Sequence, residues 1–316
     1  LEFRTPINLG KAHPPIDHQS ELFLIGSCFS ENIAAKLAYY KFRFYANPLG
    51  ILYHPAAIET LLSKAVQKKK YCKKDLFYFN ERWHCFDAHS CLSDADPQVL
   101  LNRLNLAMEK TREQLGKSSH VFITLGTAWG YRSVETDTIV GNCHKRPAKD
   151  FVKTYTGVET TVAALENIDR LIRKLAPHTN LVFSLSPVRH LKEGLVENRQ
   201  SKAQLLTAIH QVRSPQKQVH YFPAYEIMMD DLRDYRFYRP DMIHPNETAI
   251  DYIWEQFVHC WLSTGSLPVM KAVENIQKGL AHKPFNPASK QHRVFLQNLA
   301  EKKTQLARSH QIHFED

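Results

Sequence analysis

Leu22-Phe23-Leu24-Ile25-Gly26-Ser27-Cys28-Phe29 is the stretch that decides the fold. Four consecutive apolar residues end in a glycine, which reads as a short buried strand closed by a tight turn. The pattern that follows predicts a helix from about Glu31 to Phe42. A strand that turns directly into a helix presents its turn residues to the helix N-terminus, whose unpaired N–H groups favour developing negative charge. Ser27 and Cys28 therefore stand where a nucleophile could act.

Working outward, the same unit recurs along the chain. A short strand is expected around Phe44-Tyr45, and Pro55 opens a helix running through Ala65. Val121-Phe122-Ile123-Thr124-Leu125 is the clearest strand, followed after an excursion by a helix near Thr161 to Leu175. Then come Leu181-Val182-Phe183-Ser184-Leu185, a helix near Ser201 to Val212, and Val219-His220-Tyr221-Phe222. Continuous apolar strands alternating with helices imply an α/β three-layer sandwich, its mostly parallel central sheet covered on both faces. Ligands in such sheets bind beyond the carboxyl ends of the strands, which is where the turn at Ser27 and Cys28 lies.

Two insertions interrupt the alternation, and both read as hairpins roofing the site. Leu76 to Phe79 with Arg82 to Phe86 forms one; Tyr131 to Val134 with Ile139-Val140 forms the other. Residues 1–266 are expected to form the α/β domain. Residues 267–316 read as a helical C-terminal extension, two helices separated by Pro284 and Pro287, that packs on the core or forms a homodimer contact.

The second informative stretch is Asp241-Met242-Ile243-His244-Pro245-Asn246, which leads into the helical pattern Ala249-Ile250-Tyr252-Ile253-Trp254-Phe257. An Asp three residues before a His on an anchored loop holds the imidazole in one tautomer and stabilises the imidazolium. That pair is half of a hydrolase, and the turn at residues 26–29 supplies the other half.

The order strand-Gly-x-nucleophile near the N-terminus and Asp-x-x-His-Pro-Asn before a late helix resembles the SGNH (GDSL-like) hydrolase superfamily. Gly26-Ser27-Cys28-Phe29 is similar to the motif of the GSCFA family within it. Asn47-Pro48-Leu49-Gly50, Thr124 to Trp129, Asn142-Cys143-His144-Lys145, Ser186-Pro187-Val188-Arg189-His190 and Tyr235 to Tyr238 read like further blocks of that family, over roughly residues 20 to 260. The resemblance implies an SGNH/flavodoxin-like fold and acyl-enzyme chemistry on an ester or thioester, with His244 as base and then acid and Asp241 orienting it. Alignment with the superfamily's Gly-Asp-Ser puts Cys28 on the nucleophile, while Ser27 matches it in residue type. A thiol beside a helix N-terminus and a His is expected to have its pKa lowered.

The resemblance also implies an oxyanion hole. Gly50 stands at the first donor position, but Ala128 occupies the place of the superfamily's Asn, so Asn142, Asn47 or the Thr127 hydroxyl is expected to compensate. Arg189, His190, Trp129 and His144 complete the expected substrate contacts, Arg189 as a fork for a carboxylate or phosphate. Arg189 could equally pair with Asp230, Asp231 or Asp234. The acyl acceptor could be water or a sugar hydroxyl, and the expected partner is a small-molecule or glycan ester.

Composition sets limits. No run approaches about 18 apolar residues, and no charged-then-apolar leader opens the chain, so a membrane span is not expected. Six cysteines scattered through a chain large enough to bury its own core imply free thiols, and a cytoplasmic location is the default. The 41 Lys+Arg against 32 Asp+Glu leave a net charge of +9, with Lys68, Lys69, Lys70, Lys73 and Lys74 clustered. That cluster reads as a solvated loop rather than a nucleic-acid interface, although a non-catalytic module binding an anionic glycan or nucleic acid is the rival reading. No cofactor is implied. His84, Cys85, His89, Cys91, Cys143 and His144 are metal-ligand types, but the spacing of His84 and His89 fits a zinc site only loosely, so no metal site is expected.

Overall fold

The computed structural model describes residues 4–314. Five strands form one parallel sheet: β1 (Glu21–Gly26), β2 (Arg43–Ala46), β5 (His120–Leu125), β8 (Asn180–Leu185) and β9 (Val219–Phe222). Their order in space is β2-β1-β5-β8-β9, so the chain reverses its direction of progress between β1 and β5. In doubly wound sheets that reversal opens a crevice at the carboxyl ends of the two strands. Register aligns those ends, because Gly26 pairs with Thr124, Thr124 with Ser184 and Ser184 with Phe222. The turns leaving the sheet at residues 27, 126, 186 and 223 therefore emerge at one level.

The period of two along each strand divides the core. Phe23, Ile25, Val121, Ile123, Leu181 and Phe183 face α2 (Pro55–Val66), α3 (Pro97–Gly116), α4 (Val158–Leu175) and α5 (Leu195–Val212). Leu22, Leu24, Phe122, Val182 and Phe222 face α1 (Cys28–Tyr39), the short turn α6 (Ala224–Glu226) with the π-helical run Ile227–Leu232 behind it, and α7 (Glu247–Trp261). Both faces bury apolar side chains at about 1.5–3 kcal/mol each. The three-layer α/β sandwich read from the sequence is the architecture observed.

Two elements differ from expectation. Helix α3, 20 residues long, was not anticipated; it is capped by Asp96, whose side chain accepts from Gln98 N–H at 2.7 Å, with Pro97 at its first position. The first hairpin, β3 (Phe77–Phe79) and β4 (Arg82–His84), is as read, with Asn80 and Glu81 in the left-handed conformation its two-residue turn demands. The second hairpin is not. β6 (Trp129–Ser133) pairs with β7 (Phe151–Tyr155), and Ile139 makes only an isolated bridge to Arg132. Phe151 to Tyr155 forms five register pairs with β6, which the two residues Ile139-Val140 cannot match.

The extension forms α8 (Ser266–Ala281) and α9 (Lys290–His310), which share a small core of Val269, Val273, Ile276, Leu299 and Leu306. It packs on its own chain: Gln277 donates to the Tyr39 carbonyl at 3.0 Å, and Arg43 donates to Gln311 at 3.1 Å. Among the described residues no helix is long and apolar enough to cross a membrane. All six cysteines are unpaired.

Candidate active site

Gly26 ends β1 where no side chain fits. A Cβ there would lie 2.4 Å from the Thr124 carbonyl oxygen, and φ is +153°. Ser27 follows as the N-cap of α1: its Oγ accepts from Phe29 N–H at 3.3 Å and donates to Ser186 Oγ at 2.9 Å. Only 1% of Ser27 is exposed. Cys28 is the first residue of α1 and is half-buried. Burial pushes its thiol pKa up, and Glu31 adds to this; the Cys28 and Phe29 N–H groups and Lys202 pull the other way without prevailing. The lowered thiol expected from a helix N-terminus is thus not what the whole environment produces.

The 241–246 loop is tied at every turn. Asp241 Oδ1 accepts from Ile243 N–H at 2.9 Å and His244 N–H at 3.0 Å, and its Oδ2 lies 2.7 Å from His244 Nδ1. These bonds, the His244 N–H first, hold the Asp241 carboxyl well below the usual carboxylate range. His244 Nε2 has no hydrogen-bond partner among the described residues. Asn246 then caps α7, its Oδ1 accepting from Ala249 N–H at 3.0 Å, while its Nδ2 donates to the Arg236 carbonyl at 2.7 Å.

Arg189 joins this loop to the end of β8. Its N–H donates to the Ile243 carbonyl at 3.2 Å, its guanidinium donates to the Met242 carbonyl at 3.1 Å, and it lies over the Tyr238 ring at 4.0 Å. None of Asp230, Asp231 or Asp234 is its ion-pair partner, and one guanidinium N–H helps to shape the loop. His190 beside it packs against the Tyr53 ring, centroids 4.9 Å apart and the planes tilted by 49°. Burial, followed by the charges of Lys202 and His244, lowers its pKa to about 3, so the imidazole stays neutral.

Among the expected oxyanion donors, Gly50 N–H donates to the Asn47 carbonyl at 2.8 Å. Thr127 Oγ1 is bonded to Ser201 Oγ at 2.9 Å and accepts from Trp129 N–H at 3.1 Å. Asn142 Oδ1 accepts from His144 N–H at 2.7 Å and orders its own loop. Asn47 is different. Its Oδ1 accepts from Gly26 N–H at 2.9 Å, which fixes the amide orientation, and its buried Nδ2 has no partner.

A cleft of about 380 Å³ beside these turns is lined by Tyr53, His54, Thr127, Trp129, Tyr131, Asn142, Cys143, His190 and Lys192, among others. Thr127, Trp129, Asn142 and His190 of the expected residues meet there. His144 does not line it; Nε2 donates to the Cys85 carbonyl at 2.8 Å and Nδ1 accepts from Ser90 at 3.1 Å. His84 is likewise spent on Ser93 and the Phe79 carbonyl. No group of three or more potential ligands is placed to hold a metal among the described residues.

Lys68, Lys69 and Lys70 line a separate cleft with Gly116 and Leu175, at the C-terminal ends of α2, α3 and α4. Those helices run back toward the amino ends of the strands, so the lysine cluster lies at the opposite end of the strands from Cys28. Sequence reading missed Lys202, whose Nζ donates to the Ser186 carbonyl at 2.7 Å. The buried stripe of α5 reads Asn198, Ser201, Lys202, Leu205, Ala208, Ile209, and a lysine on such a stripe is the signal that could have found it.

The fold and these turns define an α/β protein with polar side chains gathered at the carboxyl ends of a parallel sheet around its switch point. The GSCFA family model matches residues 21–257, and a second, the GSCFA domain protein C-terminal domain, matches residues 273–316. The chain belongs to the GSCFA family. No curated protein matches it. Similar solved structures include a carbohydrate esterase family 3 protein from Talaromyces cellulolyticus, 9% identical with a TM-score of 0.36, covering 81% of this chain and 99% of that one. Another is an acetyl xylan esterase from the rumen bacterium Butyrivibrio proteoclasticus, 11% identical with a TM-score of 0.37, covering 77% and 63% respectively.

Proposed function

We propose that the chain is an acyl hydrolase of SGNH type, cleaving a small-molecule or glycan ester through an acyl-enzyme on Cys28. His244 takes the thiol proton on Nε2, and the thiolate attacks the carbonyl carbon. The resulting oxyanion accepts from the Asn47 amide and from backbone N–H groups at the start of α1. Collapse expels the alcohol, which takes the proton back from His244. Water activated by the same imidazole then releases the acid and frees the thiol. Ser27 is the cap beneath the nucleophile, since its hydroxyl is buried and engaged on both sides. Arg189 supports the base loop, and the cleft beside His190 takes the substrate.

The observation that carries this reading is the 2.7 Å contact of Asp241 with His244 Nδ1, which leaves Nε2 free on a loop bonded to the end of the sheet. Mixing the protein with p-nitrophenyl acetate tests it. A burst of p-nitrophenolate stoichiometric with protein, lost in His244→Ala, is expected; turnover equal to that of His244→Ala would remove the hydrolase reading.

A further inference from the structure

Beside the base loop lies a further cleft, of about 360 Å³, that the chemistry above does not use. Three guanidiniums line it: Arg189 from the turn after β8, Arg199 from α5 and Arg233 from the end of the π-helical run. None of the three has an ion-pair partner among the described residues. The carboxylates nearby are engaged with other cations, Asp231 with Arg4 at 3.0 Å and Asp234 with Arg236 at 3.0 Å. Asp230, the other acid of the cleft, forms no ion pair among the described residues, so three positive charges face one free negative charge. Like charges gathered around one cavity repel, and an anion that enters relieves the repulsion.

Each cation is nonetheless held in place. Arg189 lies over the Tyr238 ring at 4.0 Å and uses one N–H on the Met242 carbonyl at 3.1 Å. Arg199 donates to the Tyr225 hydroxyl at 2.9 Å. Arg233 is presented by a left-handed backbone, φ +42°, a conformation in which a long side chain is uncommon. Beneath them the cleft is apolar, for Met228 and Tyr238 are 1% and 7% exposed. Charges backed by such a surface are screened less than charges in open water. A guanidinium meets a carboxylate or a phosphate through two parallel N–H bonds, so the cleft offers forks already positioned for such a group.

We propose that this cleft is a binding subsite for an anionic group of the substrate, a carboxylate or phosphate taken between Arg199 and Arg233 with the remaining N–H groups of Arg189 beside them. This rests on the reading of the chain as an ester hydrolase and narrows its substrate class: the ester carries a negative charge apart from the bond that is cleaved. Arg189 links the two places, because the guanidinium that lines the cleft also bonds the carbonyl two residues before His244. An anion seated there fixes one end of the substrate beside the base loop.

Isothermal titration of the full chain with glucose, glucuronate and glucose 6-phosphate at low salt tests this without turnover. The neutral sugar is the control, and the two acids separate carboxylate from phosphate. At least one acid is expected to bind about tenfold or more tighter than glucose, since one charge-assisted hydrogen bond is worth about that factor. Arg199→Gln and Arg233→Asn are each expected to weaken that acid about tenfold and to leave glucose unchanged. Both side chains are exposed, and asparagine tolerates the left-handed backbone at 233, so the fold is retained. Arg189 is left in place because it holds the base loop. Equal binding of all three sugars, no binding of either acid, or a preference for the acid that persists in both variants overturns the proposal. Absent p-nitrophenolate release with the preference for the acid intact would instead remove the hydrolase reading and leave the anion site standing.

Discussion

Ser27 Oγ donates to Ser186 Oγ at 2.9 Å, a bond that spans the carboxyl end of β5 and joins the turn after β1 to the turn after β8. The same Ser27 oxygen caps α1, so the helix that presents Cys28 is fixed to the segment that carries Arg189, His190 and the Lys202 contact. Ser27→Ala is therefore expected to destabilise the protein by about 1–2 kcal/mol through the lost cap and its partner bond. Denaturant unfolding measures this. Acylation of Cys28 should survive in the variant; its complete loss would return Ser27 to the nucleophile's place.

Asp241→Asn tests tautomer control. The amide keeps an acceptor for the N–H groups of Ile243 and His244 but no longer holds the Nδ1 proton, so a fall in kcat on the order of 10³–10⁴ is expected with the fold unchanged. Activity within tenfold of wild type would separate the pair from the chemistry.

Asn47→Asp addresses the oxyanion. The substitution retains the acceptor for Gly26 N–H and removes both amide donors. The expected loss is about 2.7–4 kcal/mol of transition-state stabilisation, a fall of about 10²–10³ in kcat with KM little changed. A fall confined to KM would place Asn47 in binding instead.

Acid stability follows from four histidines. His54, His120 and His144 are lowered to about 4 and His190 to about 3, burial being the largest cause for each. In the unfolded chain these rings bind protons near the ordinary value of 6.5, above their values in the fold, so unfolding takes up protons between. Stability is therefore full above about 6.5 and falls as pH drops toward 4. His54 also caps α2 through Nδ1, which accepts from Ala56 N–H at 3.2 Å and is lost as an acceptor on protonation. Thermal midpoints from pH 7.5 to 4 read the trend, and a flat profile would contradict it.

The sheet was legible in the sequence because its strands are continuous apolar runs, and Asp241 with His244 because only two residues lie between them on one loop. Other features depend on tertiary contacts. Helix α3 carries its buried side chains, among them Leu100, Leu104, Met108 and Leu115, in a mostly polar segment that gives no strong local signal. The pairing of β6 with β7 crosses a long excursion that a nearby hairpin mimicked. Asn47 matters through Gly26, 21 residues before it, and Lys202 through Ser186. The thiol of Cys28 shows why position alone misleads: a helix N-terminus favours thiolate, but burial of the same sulfur outweighs it.

The proposed chemistry turns on a covalent acyl group on Cys28, formed with His244 as base. Brief exposure to an activated acetyl ester, acid quench and peptide mass spectrometry measure it directly. One acetyl group is expected on the peptide carrying Cys28, with fragment ions assigning it to the sulfur, hydroxylamine removing it, and none in His244→Ala. Acetyl on Ser27, or equal labelling of Cys28 in wild type and His244→Ala, would contradict it.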